Sequence, residues 1–524
     1  MSFLWNNFAA IYVAVFASAL AWLFGGMRGD ILAPVMPWLL AILVEVILFF
    51  PQRHHGEPSY DARRRVWRAM KKDPLVWISV GLLALLVVPF VNRGLCPLCD
   101  AKAIADGLSS DPPVKFLPFC LNWADHLNVF YWFAGALLSV MAVRHSLRRE
   151  GKRLVVEMIV WNGVLLAVLG FVQEATGAVG PFWLPKVGRL WGDSFFFSTF
   201  AYPNMAGDYF TTLFCLAAAL WRWRYDEVRK DFLEDHEHAE KKRRGIFWRK
   251  NYHLIPVGLF FFAALNTLSR ASIMLVTAGA VLFFLHTFVS FLARLPRATR
   301  VKSGTWSLMI LGLIAFSAAT FSPDNLQREV GTIETTGVLD RLTGKTENHV
   351  QVATAIWKDH LMFGCGGWGF KHLSPVKSQQ LDLKYAPGSG GANVHNDLLQ
   401  FLTEHGFVGF AALLAIVALL IAPVGRTWKV MMAALRFTKP KEQPPKPVKL
   451  FIIPAPVFFI VTGCVLTLIH SFADCPLRSA AVLVLFFVSL AALEGFLPKL
   501  EMPEMPAEDH HHHHHHHHHH SEEK

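Results

Sequence analysis

Apolar runs of about twenty residues recur along this chain, the length an α-helix needs to cross a ~30 Å hydrocarbon layer at ~1.5 Å per residue. A soluble domain would have to hide them, yet only 17% of the 524 residues are charged and 53% are hydrophobic. The first run, near Phe8 to Gly25, lacks the basic leader and small-residue cleavage site of a signal peptide and is taken as a spanning helix. The expected fold class is therefore an all-α integral membrane protein, one polytopic domain over residues 1–500. The tail 501–524 holds an unbroken histidine run, His510 to His520, which reads as a purification tag and is set aside.

Apolar windows predict twelve transmembrane helices, near residues 8–25, 31–50, 74–91, 127–143, 154–172, 205–221, 252–268, 271–292, 304–321, 407–424, 450–470 and 478–497. The connections after the even-numbered windows, up to the tenth, are densely basic: Arg53 to Lys72, Arg144 to Arg153, Arg222 to Lys250, Arg294 to Lys302 and Arg426 to Lys449. Together they hold 33 of the 50 Lys and Arg residues. Basic connections stay in the cytoplasm, so both termini are expected there and the other connections outside. A membrane surface accounts for the +11 net charge, and no nucleic acid is expected as a partner.

One connection is long: residues 322–406, between the ninth and tenth windows. A loop of that length is usually functional or disordered. Its Trp357, Phe363, Trp368 and Phe370 supply enough apolar material for a partly helical outer cap, with one helix expected from Asn348 to Leu361. Its glycines, Gly364, Gly366, Gly367, Gly369, Gly388, Gly390 and Gly391, fit either a mobile lid or tight turns.

A transporter would place ionisable groups near the bilayer midplane. Here Asp208, Arg270, His470, Asp474 and Arg478 fall at the outer helix ends, with Arg189 and Asn204 in the outer connection before the sixth window. Glu45, Glu157 and His286 are the exceptions. Chemistry is thus expected at the outer boundary, where the phosphate of a lipid would lie. The segment Asn393 to Gly409 reads as an amphipathic outer helix with His395, Leu399 and Leu402 on one face and Asp397 and Glu404 on another. Gly406 would break it before the tenth span. Arg189, Arg270 and Arg341 form a candidate anion site, because guanidinium groups pair with phosphate oxygens.

These residues resemble the O-antigen ligases, within a wider group that includes O-antigen polymerases and protein O-oligosaccharyltransferases. The resemblance rests on Phe200 to Ala206 (FAYPNMA), Leu268 to Ala271 (LSRA), Arg341 ahead of Ala355 to Trp357, Gly364 to Gly369 (GCGGWG), and His395 to Leu399 with Glu404 to Gly406. It implies a GT-C-like glycosyltransferase of the bacterial inner membrane, working on the periplasmic face in lipopolysaccharide biosynthesis. The implied donor is a glycan on undecaprenyl diphosphate and the implied acceptor a sugar hydroxyl of lipid A–core, with membrane lipids as surroundings. By the same resemblance His395 is the catalytic base. Arg189, Arg270, Arg341, Asn204 and Asn396 are candidate diphosphate or substrate ligands, and Asp474 and Glu404 candidate supports.

An imidazole suits removal of a hydroxyl proton near pH 7, and fixed cations suit a leaving diphosphate. No Asp-x-Asp pair stands on the outer face to hold a divalent metal, so no metal and no cofactor are expected, and in-line attack would invert the anomeric centre. Asp474 either orients His395 or an arginine, or pairs with Arg478. A polymerase, a protein-acceptor enzyme or a flippase of lipid-linked sugars are the alternative functions. Cys96, Cys99, Cys120, Cys365 and Cys475 fall outside the spans; the spacing Cys96-x-x-Cys99 could suit zinc or redox work, but with only Cys120 nearby and no thioredoxin-like pattern a structural disulfide, which an oxidising compartment permits, is favoured.

Overall fold

The architecture comes from a computed structural model, described for residues 2–97, 100, 112–184, 196–234, 249, 251–292, 348–383, 393–437 and 453–498. The main helices are α1 (Phe8–Trp22), α2 (Gly29–Phe49), α3 (Ser59–Lys72), α4 (Pro74–Val87), α5 (Trp123–Met141), α6 (Arg149–Ala175), α7 (Pro203–Glu234), α8 (Leu254–Asn266) and α9 (Arg270–Leu292). After residue 347 come α10 (His349–Asp359), α11 (Gly369–Gln380), α12 (Asp397–Phe437), α13 (Ala455–Ser471) and α14 (Ala480–Ala492). Extended pairing among the described residues amounts to the isolated bridges Arg93–Cys120 and Phe197–Phe200.

Helices therefore occupy eleven of the twelve apolar windows; the ninth, 304–321, lies outside the described residues. Among the described residues, five helical stretches are long and apolar enough to cross a membrane: Gly29–Phe49, Trp123–Ser146, Arg149–Ala175, Arg270–Ser290 and Asp397–Val430. Shorter apolar helices, α1, α8, α13 and Ala480–Gly495, pack among them. Every residue of α14 is buried, as expected of a helix that is apolar all round and sits at a bundle centre. By contrast α12 exposes Phe407, Leu414 and Ile421, side chains that hydrocarbon accommodates and water would not.

The two ends of the bundle differ in chemistry. At one end the basic connections meet: Arg144 Nε lies 2.5 Å from Asp73, Lys152 Nζ lies 2.5 Å from Glu494, and Arg148 N donates to Gln52 at 2.7 Å. The other end gathers the start of α7, the start of α12 and the turn between α13 and α14. Against that end α10 and α11 form a small cap; α10 falls within the predicted 348–361 helix and α11 adds a second helix. The cap is clamped to α5 through Asp125, whose Oδ2 accepts from Lys371 Nζ at 3.0 Å and lies 2.8 Å from His372 Nε2.

The expected break at Gly406 is present, with φ 63° and ψ −171° inside α12. The backbone N–H groups after the break remain satisfied: Phe407 N donates to Leu361 O at 2.9 Å and Val408 N to Met362 O at 3.1 Å. Cys365 N and Gly366 N in turn donate to Thr403 O and Glu404 O at 3.1 and 2.8 Å. Irregular backbone at the edge of a membrane requires such partners. The approach is close enough that a Cβ on Gly406 would overlap Met362 O, and one on Gly364 would overlap the backbone of Glu404. At these two positions the glycines act as tight packing points rather than as a lid hinge.

Two expectations are corrected here. The segment before Gly406 is helical from Asp397, but His395 precedes the helix with φ 54° and so shares no helical face with Leu399 and Leu402. The polar face of that helix also points inward: Asp397, Gln400, Thr403 and Glu404 are all buried, because the cap and the α13–α14 turn supply their partners. The expected disulfide is likewise not formed by Cys120, Cys365 or Cys475, which carry free thiols. Each sulfur has a local acceptor instead: Pro89 O at 3.2 Å, Thr403 O at 3.5 Å and Asp474 Oδ1 at 3.4 Å respectively. Cys96 directs its sulfur at His372 Nδ1, 3.4 Å away, and Cys99 lies outside the described residues. Gly406→Ala combines a left-handed backbone with an overlap, so we expect it to destabilise the protein by about 1–3 kcal/mol, read as a lower melting temperature in detergent.

Candidate active site

His395 occupies a left-handed turn, a conformation that costs a non-glycine residue about 1–3 kcal/mol and concentrates at functional positions. The turn is held from both sides: Val394 N donates to Gln400 Oε1 at 3.0 Å, and Asn396 Oδ1 accepts from Leu399 N at 3.0 Å, capping α12. Asn396, a candidate substrate ligand, thus also fixes the helix start. The imidazole emerges with 41% of its side chain exposed, whereas that of Asp474, to which it is bonded, is 6% exposed. His395 Nδ1 lies 3.0 Å from Asp474 Oδ1. The ring of buried His349 stands 5.8 Å away, centroid to centroid.

Asp474 collects donors from three segments. Tyr202 OH lies 3.2 Å from both of its oxygens, Asn204 Nδ2 donates to Oδ2, and Cys475 N donates to Oδ1 at 2.8 Å. Burial works against the charged form. The hydrogen bond and charge of His395, the nearby His470 and the Cys475 N–H outweigh it and hold the carboxyl below its ordinary value. Since an ionised carboxylate only accepts, His395 Nδ1 must carry a proton, and in the neutral ring the lone pair then falls on Nε2. Burial and the adjacent carboxylate push the Tyr202 phenol well above its ordinary value, keeping it a donor.

A second buried network lies alongside. Arg478 pairs with Glu404 at 2.7 Å and stacks on Trp368, 4.9 Å from the ring centroid. Gln400 Nε2 holds the other Glu404 oxygen at 3.0 Å. Asp397 accepts from Leu477 N at 2.8 Å and Ser471 OH at 3.2 Å. Beneath it, His470 Nδ1 and Thr467 OH meet Asp208, each at 3.0 Å. Asp474 is thus bonded to His395, and Arg478 pairs with Glu404 instead. Next to these groups opens a cavity of about 240 Å³, lined mainly by apolar side chains including Phe133, Phe401, Leu468 and Phe486, with Asp397, His405 and Arg478 as its polar wall.

The other candidates are placed unevenly. Arg270 starts α9, two residues before Ser272, and a Cβ on Gly207, just past Asn204, would overlap Ser272 Oγ. That contact brings the start of α9 to the same end of the bundle as Asp474. Arg189 and Arg341 lie outside the described residues. Tyr202 and His349 went unnoticed in the sequence; Tyr202 stood inside a quoted motif, while nothing near His349 marked it.

Among the described residues, the ligand atoms of His395, Asp474 and Cys475 lie within 4.8 Å of one another, a spacing that would suit a metal ion. The donor chemistry fits poorly. Burial and the neighbouring carboxylates push the Cys475 thiol well above its ordinary value, so it stays protonated, and metals bind the thiolate. Asp474 Oδ1 is already occupied by His395 and Cys475 N.

The depressed Asp474 pKa has a pH signature. Its stabilisation is complete above the ordinary carboxylate pKa, about 3.9, and is lost as pH falls through the lower folded value. Asp474→Asn should therefore melt below wild type at neutral pH, with the gap closing as pH drops below about 4. For Glu404→Ala, which strands the Arg478 guanidinium, we expect a loss of about 3–5 kcal/mol, measured by denaturation in detergent.

A family model described as O-Antigen ligase matches residues 255–414, a stretch that takes in Arg270, Arg341, His395 and Glu404. No curated protein matches the chain. The family match and the apolar helices together make this a multi-pass membrane protein.

Proposed function

We propose that this chain, assigned to the O-antigen ligase family by the match over residues 255–414, transfers a glycan from undecaprenyl diphosphate to a sugar hydroxyl of lipid A–core on the periplasmic face of the inner membrane. The observation that carries the reading is the His395–Asp474 pair, 3.0 Å apart, presented at one end of an apolar bundle beside a cavity lined mainly by apolar side chains.

In this reading His395 Nε2 takes the proton from the acceptor hydroxyl as its oxygen attacks the anomeric carbon. Asp474 keeps the imidazole in the required tautomer and steadies the imidazolium that forms. The C–O bond to the lipid diphosphate breaks, and the carrier leaves with its negative charge increased. Arg270, with Arg189 and Arg341, would hold that charge, and attack opposite the leaving group inverts the anomeric centre. The apolar cavity suits the first isoprenoid units of the carrier.

The test is conversion of a lipid-diphosphate glycan to product by the purified protein, with lipid A–core, a second glycan lipid and a pilin-like protein supplied in parallel. Product on lipid A–core alone is expected, with His395→Ala lowering the rate by about 10²–10⁴-fold while a chelator leaves it unchanged. Product on the second glycan lipid would make the chain a polymerase, and product on the protein would make it an oligosaccharyltransferase. Transbilayer movement of the donor without transfer would contradict an enzymatic role.

A further inference from the structure

Helix α3, at the basic end of the bundle, is not used by the proposed chemistry. It carries six cations, Arg63, Arg64, Arg65, Arg68, Lys71 and Lys72, against one carboxylate, Asp61. It is bent by 73° from the apolar helix that follows, so it runs across the axis of its neighbour instead of continuing it. Its buried residues Ala62, Val66 and Met70 recur every four positions and dock it on the bundle. Arg65 belongs to that dock, paired to Glu57 at 3.0 Å and bonded to Gln52 O at 3.0 Å.

The opposite face is built differently. Tyr60 and Trp67 are 63% and 50% exposed, an unusual state for large aromatics in water but the usual one at a headgroup layer. Arg64, Arg68 and Lys71 are exposed on the same side, and Lys71 Nζ sits over the Trp67 ring, 5.2 Å from its centroid. Among the described residues none of these three cations pairs with a carboxylate. Of the neighbouring acids, Glu57 is engaged with Arg65 and Asp73 with Arg144, and Asp61, in the first turn of the helix, forms no ion pair with these cations. The level of this face is set by Trp77, on the first turn of α4: its indole is 60% exposed and donates to Lys71 O at 3.0 Å. An apolar helix thus begins where the basic helix ends.

We infer that the Tyr60–Trp67–Trp77 edge of α3 and α4 lies in the headgroup layer, and that Arg64, Arg68 and Lys71 bind the phosphates of acidic phospholipids there. Aromatic rings at the interface with unpaired cations beside them match the two parts of such a lipid, the glycerol–acyl boundary and the anionic headgroup. The site holds whichever leaflet the helix faces, and it stands apart from the transferase reading, so either can fail alone.

The test uses the full-length protein in nanodiscs of phosphatidylcholine and phosphatidylglycerol, with a headgroup-proximal bromine quencher placed first on one lipid and then on the other. The fluorescence component removed by Trp67→Phe reports the lipid at this helix. The expected result is a local enrichment of phosphatidylglycerol of about five-fold. It should fall towards unity in Arg64→Gln/Arg68→Gln/Lys71→Gln protein and be kept in the control Arg426→Gln/Lys429→Gln. In wild type, raising the salt to about 0.5 M should weaken the enrichment, a readout that does not depend on the triple variant folding. Equal quenching by the two lipids would overturn the headgroup selectivity. Quenching by neither would place the helix away from lipid, and an enrichment lost only in the control would assign it to a different surface.

Discussion

Asp474 stays ionised while its side chain is only 6% exposed, and much of the surrounding structure is explained by that requirement. A buried carboxylate without donors would neutralise itself. Here the donors come from the approach to α7, the turn before α12 and the α13–α14 turn itself. Tyr202, Asn204, His395 and the Cys475 amide converge on two oxygens. Bringing those segments together fixes this end of the bundle, and the imidazole, 41% exposed, reaches into the open.

The cap and the break at Gly406 serve the same end. Because Phe407 and Val408 find acceptors in Leu361 and Met362, α12 can break at Gly406 without orphaned backbone groups. That geometry turns Asp397 and Glu404 inward, towards Leu477, Ser471 and Arg478. A buried ion pair such as Glu404–Arg478 is weak support for stability as such, since desolvation offsets most of its attraction. It does fix the register between α12 and the α13–α14 turn, and through it the distance from His395 to Asp474.

The helices were legible because the hydrocarbon thickness imposes a run length that needs no tertiary information, and eleven of the twelve windows coincide with helices. A helix next to His395 was legible too, although His395 itself precedes it in a left-handed turn. Its partner was not, because 79 residues separate it from Asp474 and adjacency in sequence favoured Arg478 as strongly. The polar stripe Asp397–Gln400–Glu404 was misread for a related reason: periodicity identifies a polar face but not what covers it, and here protein covers it instead of water. Tyr202 lay within the FAYPNMA motif, yet only folding shows its hydroxyl against a carboxylate 272 residues away. The cysteines illustrate the same limit, since spacing says two thiols are near in sequence and nothing about the acceptors each will find.

The account stands or falls on whether Asp474 acts through His395 on the reacting hydroxyl. The most direct measurement is the single-turnover rate of glycan transfer by Asp474→Asn protein as a function of pH, with donor affinity measured alongside. The plateau rate should fall by about 10²–10⁴-fold with donor affinity nearly unchanged, and the acid limb should move to lower pH as the imidazolium loses its carboxylate partner. A folded variant with the wild-type rate and pH profile would contradict the account.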